Sequence, residues 1–381
     1  MKIGIDARFI TSTPRRGIGN YSLNLVAALV EALPDYQFYL YISSLDEEGI
    51  LPTSKNVTIR KIGLPIYPLW EQFFLPLAAK NDGVDLLHCL GNTAPIFLPK
   101  SIKLILSLMD VMFLQDGHLM PRPTSNYQRF GRLYRRLICP LAAKNSAAVI
   151  TISDFSKTDI LSLMPFLKPE KVSVAYLSCD PIFRKQSLHL DGEENLLGIS
   201  HPYIFCLGAE DPRKNTLRLV AAFLSILKKN NHILVVSGYS NWEKSEAYQL
   251  VKAKGATARI IFLPFVDIGE LASLYAGADL FIYPSLYEGF GIPIIEAFSA
   301  GCPVIASDST SIPEVGGDAV IYVDPLSEVE IANAIQSVVL DSNLRKKLKE
   351  LGLKRAEKFS WGKTAAETYQ TYQKVSKDFV R

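Results

Sequence analysis

The feature that most constrains the fold is a repeated alternation of short apolar runs with amphipathic stretches. The first series of apolar runs occupies residues 2–7, 38–42, 57–62, 84–89, 104–108, 149–152 and 172–175. The second series occupies residues 203–207, 233–237, 260–263, 280–283, 304–306 and 320–323. Alternation of this kind is typical of parallel strands whose two faces are covered by helices. The sequence therefore predicts an α/β protein with two separate parallel sheets.

The length of the chain agrees with this division, because 381 residues suit two domains of ordinary size. The stretch between the two series is polar and irregular, and it carries Asp-Gly-Glu-Glu at 191–194. We predict an N-terminal domain over 1–180, a linker over 181–202, a C-terminal domain over 203–360 and a final helix over 361–381.

Composition excludes several classes of protein. With 48% hydrophobic and 21% charged residues, the chain can build large cores. A net charge of +3 is too small to favour nucleic acid as a partner. No apolar run approaches the roughly 18–20 residues that span a bilayer, and the first residues read as a strand, not as a signal peptide. The five cysteines are scattered and odd in number, so we expect a reduced, cytoplasmic protein.

The segment 281–308 is predicted to form a strand, a glycine-containing turn, a helix and a second strand. Glu288 lies on the turn and Glu296 in the early helix. The amides around Gly289 to Gly291 lie at a helix N-terminus, which favours an anion. Because a carboxylate accepts hydrogen bonds from two hydroxyls, the pair suits a sugar or a ribose. A nucleotide-sugar combines these three features.

Five motifs occur in order along the chain. They are Gly17-Ile-Gly-Asn-Tyr21, Thr151-Ile-Ser-Asp-Phe-Ser156, Glu210-Asp-Pro-Arg-Lys-Asn215, Glu288-x7-Glu296 with Glu-Gly-Phe-Gly inside it, and Phe359-Ser-Trp361. Together they resemble the signature of retaining, nucleotide-sugar-dependent glycosyltransferases, the family 4-like group that includes bacterial mannosyltransferases and sucrose synthase. The resemblance implies the GT-B fold: two Rossmann-like domains, a cleft between them, and a last helix that crosses back to the N-terminal domain.

The donor site is expected in the C-terminal domain. Arg213 and Lys214 follow the strand 203–207, at the end of the strand where open α/β sheets bind ligands. The alternative is that they are two solvated charges at a helix start. The resemblance implies that they hold the donor diphosphate, while Glu288 contacts the transferred sugar and Glu296 the ribose. It also assigns main-chain contacts to the base, the sugar and the phosphates at Val266, Gly289, Phe290 and Gly291.

Gly17 and Gly19 are predicted to lie in a loop between the first strand and the first helix, where the backbone can approach a ligand. A simple turn is the alternative. Arg16 and Asn20 flank the glycines, and we expect them to lie near a diphosphate or an acceptor.

Met109-Asp110 departs from the resemblance, because the family commonly has His-Asp at this strand end. A methionine side chain forms no strong hydrogen bond and shares no proton. His118 could approach the sugar in its place, or else be a surface loop residue. His88 could face the cleft, or else be a satisfied core histidine. The candidate catalytic residues are Arg213, Lys214, Glu288 and Asp110.

Arg129, Arg132 and Arg136 are predicted to share one face of a helix. The simpler interpretation is a solvated face. The alternative is a surface for anionic lipids or for a diphosphate-linked acceptor, which would place the protein at the inner face of the membrane.

We predict a retaining, metal-independent hexosyltransferase that needs no cofactor. The donor is a nucleoside diphosphate hexose, with GDP-mannose favoured by similarity, and the acceptor is a saccharide or a lipid-linked saccharide of polysaccharide biosynthesis. Two alternatives remain at this point: a nucleotide-sugar-binding protein without catalysis, and a phosphorylase or epimerase of the same fold.

Overall fold

The computed structural model describes residues 1–12, 17–115, 126–186, 199 and 202–377. Within these ranges the chain divides into two compact units, with the divisions between Leu177 and Ser178 and between Phe359 and Ser360. The first unit therefore contains both the beginning and the end of the chain.

The first unit is built on a seven-stranded sheet in the order β3-β2-β1-β4-β5-β6-β7. Its strands are β1 (Lys2–Asp6), β2 (Gln37–Ser43), β3 (Val57–Ile62), β4 (Leu86–Cys89), β5 (Lys103–Ser107), β6 (Ala148–Thr151) and β7 (Val172–Val174). All the pairs are parallel, as in the register Ile3 to Phe38 on one side of β1 and Ile3 to Leu86 on the other. The chain order reverses between β1 and β4, which creates a switch point at the centre of the sheet.

Helices cover this sheet. They are α1 (Arg8–Thr11), α2 (Gly17–Ala32), α3 (Tyr67–Leu69), α4 (Leu75–Asp82), α5 (Asn126–Asn145), α6 (Asp154–Leu163) and, from the end of the chain, the helix Trp361–Lys377. A π-helical turn, Trp70–Phe74, joins α3 to α4. Strand residues such as Ile3, Ile5 and Leu87 are fully buried, as expected for a parallel sheet covered on both faces.

The second unit is built on a six-stranded parallel sheet in the order β10-β9-β8-β11-β12-β13. Its strands are β8 (Tyr203–Leu207), β9 (Ile233–Ser237), β10 (Ile260–Leu263), β11 (Leu280–Tyr283), β12 (Val304–Ser307) and β13 (Val320–Val323). Here the chain order reverses between β8 and β11. The residues that follow these two strands therefore lie at the switch point.

The helices of the second unit complete the fold. They are α7 (Ile182–Gln186), α8 (Thr216–Ser225), α9 (Glu246–Ala253), α10 (Ile268–Gly277), α11 (Ile292–Ser299), α12 (Ile312–Gly316), α13 (Glu328–Leu340) and α14 (Ser342–Ala356), and the terminal helix of the first unit is α15. The predicted linker 181–202 includes α7, which packs within the second unit because the rings of Phe183 and Tyr275 lie 5.8 Å apart. The remaining residues of that linker, apart from residues 199 and 202, lie outside the described ranges.

Helix α15 packs on α2 in the first unit. Tyr369 and Tyr36 share a hydrogen bond of 2.9 Å between their hydroxyls, and the ring of Trp361 lies 6.4 Å from that of Tyr21. The return of the last helix to the N-terminal domain is therefore confirmed. The loop predicted at Gly17 and Gly19 is not found, because both residues belong to the first turn of α2.

Candidate active site

The centre of the candidate site is an ion pair between Lys214, which follows β8, and Glu288, which follows β11. Lys214 Nζ donates to Glu288 Oε1 over 2.9 Å and to the hydroxyl of Tyr283 over 2.8 Å. Although burial works against it, the Glu288 carboxylate raises the pKa of Lys214 above its ordinary value. Burial also opposes ionisation of Glu288, but Lys214 lowers the pKa of that carboxyl. Both groups are therefore charged at neutral pH, at the switch point of the second sheet.

Local chain geometry explains the position of Lys214. Pro212–Lys214 form a single 3-10 turn, whose first amide, that of Arg213, donates to the side chain of Asp211. Asn215 has a φ of +57° and donates from Nδ2 to the carbonyls of Pro284 and Pro325. The loop after β8 is thus bound to the loop after β11, and a short polar residue occupies the left-handed position, as asparagine tolerates.

Arg213 also lies in an ion pair. Its Nε and Nη2 bond the carboxylate of Asp211, with Nη2 to Oδ2 at 2.5 Å. Lys214 and Arg213 are thus each held by an acid, which places their positive charges in defined positions before any ligand arrives. Asp211 and Tyr283 were not identified from the sequence. The only signal for Asp211 was its place before proline at the start of a turn, a common capping position.

The turn that carries Glu288 is held by the loop after β12. The Glu288 amide donates to Thr310 Oγ1 over 3.1 Å, and the single O–H of Ser311 is shared between the carbonyls of Glu288 and Phe290, which lie 2.9 and 2.8 Å from Oγ. Thr310 has a φ of +58°, a left-handed conformation that is costly for a β-branched residue. Such strain persists only where neighbouring contacts impose it. We missed Thr310 and Ser311, since their bonds link positions more than twenty residues apart.

Gly291 ends this turn and begins α11. Its φ of +114° belongs to a region that side chains other than hydrogen avoid, so glycine is required here. Pro293 follows in the first helical turn, where the missing N–H of proline leaves no bond unmade. Gly289 and Phe290 directly precede Gly291, and Phe290 is buried. The first amides of α11 thus begin directly beside the Glu288 turn.

Glu296 lies one turn into α11 and accepts a hydrogen bond of 3.0 Å from the hydroxyl of Tyr275. Burial raises the pKa of Glu296 to about 7. The charge of Lys214 acts on this carboxyl in the opposite direction, as it does on Glu288. The positive charge of Lys214 therefore acts to lower the pKa of both predicted glutamates. Val266 lies on the same edge, between β10 and the capping residue Asp267 of α10.

A cavity of about 620 Å³ borders the Asp211 loop. It is lined by residues of the loop after β8 and by the starts of α8 and α9, including Asn215, Arg218, Tyr239 and Glu246. Lys214, Glu288 and Glu296 do not line it. The cavity therefore borders the loop that carries Arg213 and Lys214, through Asp211 and Asn215, but the three candidate donor side chains do not face it.

In the first unit, the predicted residue His88 lies in the core. His88 is fully buried, and its two ring nitrogens lie 2.7 Å from the Tyr372 hydroxyl and 2.8 Å from Ser107 Oγ. Burial lowers the pKa of His88 to about 3, so the ring is neutral. The structure therefore supports the interpretation of His88 as a satisfied core histidine, and not as a sugar contact.

Met109 and Asp110 follow β5 at the carboxyl edge of the first sheet. Met109 is buried, and its amide donates to Asn92 Oδ1 over 2.8 Å. Asp110 is partly exposed and accepts a bond of 3.2 Å from the Met112 amide. Asn20 is exposed in the first turn of α2. Arg16 and His118 lie outside the described residues.

The structure of the described residues also bears on metal sites and on membrane-spanning helices. No group of three or more histidine, cysteine, aspartate or glutamate side chains in these ranges is arranged to hold a metal ion. No helix in the same ranges is long and apolar enough to cross a membrane.

Comparison with known proteins identifies the family. A family model described as "Glycosyl transferases group 1" matches residues 193–355. The O-antigen chain mannosyltransferase B of Escherichia coli is 33% identical to the chain over 388 residues, which cover 94% of this chain and 96% of that protein. The chain belongs to this family. The glycosyltransferase is accordingly a hexosyltransferase, and the predicted family is confirmed.

Solved structures show the same fold. The sucrose-phosphate synthase of Thermosynechococcus elongatus superposes on this glycosyltransferase with a TM-score of 0.73 at 19% identity, covering 99% of this chain and 100% of that one. Anabaena HepE, solved in complex with UDP and glucose, gives a TM-score of 0.69 at 18% identity, covering 98% and 99%. The predicted GT-B fold is therefore confirmed.

Proposed function

We propose that this glycosyltransferase moves mannose from GDP-mannose to a saccharide acceptor, with retention of the anomeric configuration and without a metal ion. The observation that carries the proposal is the Lys214–Glu288 ion pair at the switch point of the second sheet. It joins a cation suited to a diphosphate with a carboxylate suited to sugar hydroxyls. The choice of mannose as the sugar rests on the similarity to the Escherichia coli mannosyltransferase.

Lys214 stabilises the departing diphosphate in this proposal. An ammonium group has three hydrogens, and among the described residues two of them go to Tyr283 and Glu288. The third is directed at a phosphate oxygen. Arg213, held by Asp211, and the first amides of α11 add positive potential around the same group. Charge that develops on the leaving group thus meets fixed donors, a role that a metal ion fills in other transferases.

The two glutamates position the rest of the donor. Glu288 accepts hydrogen bonds from hydroxyls of the transferred hexose, and Glu296 accepts them from the ribose. The main chain at Val266 contacts the base, and that at Gly289, Phe290 and Gly291 lines the sugar and phosphates. As the glycosidic bond lengthens, the hexose becomes oxocarbenium-like, and the acceptor hydroxyl approaches from the face that the diphosphate leaves, so the configuration is retained.

The identity of the donor is tested by binding and then by turnover. GDP-mannose, UDP-glucose and ADP-glucose are compared by thermal shift at equal concentration, because a ligand that binds more tightly raises the apparent stability more. The UDP complex of Anabaena HepE makes UDP sugars the appropriate competitor. We expect the largest shift with GDP-mannose, together with GDP release when a mannoside is added. A larger shift and faster release with a UDP sugar would refute the choice of donor.

Metal independence is tested separately, with the same release measurement made after dialysis against EDTA. We expect an unchanged rate, because the leaving-group charge is matched by Lys214 and Arg213. Loss of turnover that only a divalent cation restores would refute this part of the proposal.

The acceptor is proposed to be a saccharide chain, carried in part on a membrane lipid, and the protein to be cytoplasmic and peripheral at the inner face of the membrane. Helix α5 supports this, since Phe130, Leu133 and Leu137 are each more than half exposed. Arg129 and Arg136 are exposed on the same helix, and Arg132 is partly exposed. A row of apolar side chains flanked by arginines suits an anionic lipid surface.

Sedimentation with vesicles tests this contact. We expect binding to vesicles that contain an anionic phospholipid, reduced by Leu133→Ser with Leu137→Ser, and little binding to neutral vesicles. Leu340→Ser, at an exposed leucine of the second unit, is the matched control. Equal binding by the α5 variant and the wild type would exclude α5 as the contact.

A further inference from the structure

Helix α14 is strongly basic, although the chain as a whole is close to neutral. Its 15 residues include six basic side chains and one acidic side chain, Glu350, whereas the net charge of the whole chain is +3. One side of the helix is buried, at a spacing of four residues, through Leu348, Gly352 and Ala356. The other side carries four exposed lysines, Lys346, Lys347, Lys349 and Lys354. A concentrated positive charge therefore faces water.

Helix α14 runs along the edge at which the strands of the second sheet begin, the amino edge. Near its start, Arg345 Nη1 donates to two carbonyls in the last turn of α13. In its middle, Lys349 lies beside Gly301, where a Cβ would be 2.9 Å from the lysine Cε, between the end of α11 and β12. Near its end, Arg355 Nε donates to the carbonyl of Val315 over 2.9 Å, just before β13. The helix thus passes the ends of three helices that pack on this sheet.

Four more exposed lysines lie at the same edge, in the turns before β9 and β10. They are Lys228, Lys229, Lys252 and Lys254. These two turns contact each other, because Arg259 Nη2 donates to the carbonyls of Asn230 and His232 over 2.8 and 2.7 Å. The four lysines and those of α14 therefore form one set along the amino edge, which we call the amino-edge lysines.

The simpler interpretation is that these lysines stabilise helix ends. It suits the lysines that follow α8 and end α9, because the C-terminus of a helix favours positive charge. It does not suit Lys346, Lys347 and Lys349, which lie in the first half of α14, where the helix dipole disfavours a cation. None of the amino-edge lysines forms an ion pair within the described residues. Neighbouring like charges on a helix repel each other, so stability of α14 does not account for them.

The shape and chemistry of this surface indicate the class of partner. The lysines of α14 are spread along a helix about 22 Å long, which suits an extended surface better than a small molecule. Within the described segments 228–232, 252–259 and 342–356, no exposed large apolar side chain is aromatic, so the surface offers no platform for stacked bases. A broad set of lysines attracts the phosphate groups of anionic phospholipids, which form such a surface.

We propose that the amino-edge lysines bind the anionic phospholipid surface of a membrane. The candidate donor residues Lys214 and Glu288 follow β8 and β11, so they lie at the opposite, carboxyl edge of the same sheet. Binding of lipid at the amino edge therefore does not compete with the donor. The contact concerns the second unit alone and adds to the apolar contact proposed for α5. It does not depend on the identity of the donor.

The test neutralises α14 in the full chain, with Lys346→Gln, Lys347→Gln and Lys349→Gln combined. Sedimentation is measured with vesicles of phosphatidylglycerol and with vesicles of phosphatidylcholine, each at low and at high salt. The matched control removes the same charge elsewhere, at three exposed lysines outside the amino edge of this sheet: Lys55→Gln, Lys168→Gln and Lys244→Gln. Thermal unfolding shows that each variant is folded.

We expect the wild type to bind phosphatidylglycerol vesicles at low salt and to be released as the salt concentration rises, because salt screens exposed charges. The α14 variant is expected to bind these vesicles at least about tenfold more weakly at low salt, and the control variant to change by less than about twofold. Leu133→Ser with Leu137→Ser removes no charge, so it is expected to keep the salt dependence of the wild type. Leu340→Ser, next to α14, also removes no charge and is expected to bind as the wild type does.

An equal loss of binding in the two lysine variants would overturn the inference, since net charge and not the amino edge would then decide binding. Unchanged binding by the α14 variant, with loss in the α5 variant, would overturn it and leave the α5 contact in place. Unchanged vesicle binding with lost retention of duplex DNA would also overturn it and would assign the surface to nucleic acid. Absence of wild-type binding to anionic vesicles would overturn both membrane contacts, while GDP release tests the proposed transfer by itself.

Discussion

Single residues of the candidate donor site are held by partners of opposite charge. Lys214 and Glu288 are mutually dependent, because each shifts the pKa of the other towards its charged form. Removing one member leaves the other as a poorly compensated charge away from water, which costs more than the bond itself. Variants at either position are therefore expected to change more than one contact.

Lys214→Ala is expected to weaken GDP-mannose binding by about ten- to a hundredfold, the effect of losing one charge-assisted hydrogen bond. Calorimetric titration measures the change. Lys228→Ala, at an exposed lysine of the same unit, is the control and is expected to bind as the wild type does. If Lys214→Ala binds GDP-mannose as tightly as the wild type does, the diphosphate does not bind at Lys214.

Glu296 makes donor binding depend on pH. Because burial raises its pKa to about 7, the folded protein retains this proton where an unfolded chain has lost it. That contribution to stability is complete below the ordinary glutamate pKa and is lost as the pH rises through about 7.

Donor affinity has the opposite dependence, since ribose hydroxyls bond the ionised carboxylate. We expect the affinity for GDP to fall by at most about ten- to a hundredfold as the pH drops below 7, and to level off above 7. Glu296→Gln, which does not titrate, is expected to flatten this profile. An equally steep profile in the variant would assign the dependence to another group.

At the scale of elements, the loop after β12 acts as a support for the Glu288 turn. The one O–H of Ser311 is shared between the carbonyls of Glu288 and Phe290, and Thr310 Oγ1 accepts from the Glu288 amide. Three backbone groups of the turn thus depend on two adjacent side chains of another loop.

Ser311→Ala is expected to cost about 1–3 kcal/mol of unfolding free energy, because the one buried donor that two carbonyls share is lost. We also expect a higher KM for the donor, since the turn holding Glu288 loses its support. Denaturant unfolding and initial rates measure the two effects. Ser225→Ala, which removes a bond to a carbonyl within its own helix, is the control and should leave the KM unchanged. A stability loss with an unaltered KM would limit Ser311 to a structural role.

Elements were predicted well where local pattern decides them. The thirteen strands of the described residues lie where the apolar runs occur, with ends that differ by at most two residues. A parallel strand buried on both faces is continuously apolar, and the edge strand β3, with Arg60 and Lys61, is the exception. The loop predicted from Gly17 and Gly19 was wrong, because both residues lie in α2. Glycine disfavours a helix, yet it is tolerated in the first turn, where few intrahelical bonds exist.

The candidate site was predictable only in part. Lys214, Glu288 and Glu296 stand next to strand ends and were found from that position. The partners that hold them were not, because contacts such as Tyr275 to Glu296 depend on tertiary packing. His88 shows the same limit, since the hydroxyl that bonds its Nδ1 is 284 residues away in the chain.

At the scale of the whole molecule, the first unit is assembled from two distant parts of the chain. Helix α15 contributes the buried residues Thr364, Tyr372 and Val375 to it, although in sequence the helix follows the second unit. Removal of α15 is therefore expected to affect the stability of the first unit, which also contains the beginning of the chain.

Deletion of α15 after Phe359 is expected to destabilise the first unit and to spare the second, because it exposes the core beneath α2 and leaves His88 without Tyr372. Hydrogen exchange measures this, with protection lost in β1 to β7 and kept in β8 to β13. A chain shortened only after Lys377 is the control. Equal loss of protection in both sheets would show that the two units do not unfold separately.

The return of α15 also sets the order in which a newly made chain is completed. When β1 to α6 have left the ribosome, the face of α2 that α15 covers is still open to water. The entire second unit must be synthesised before α15 emerges, which takes on the order of 10–40 s at roughly 5–20 residues per second. By the end of that interval the second unit has all its strands and helices and can fold. The unit that begins the chain is therefore the last to be finished.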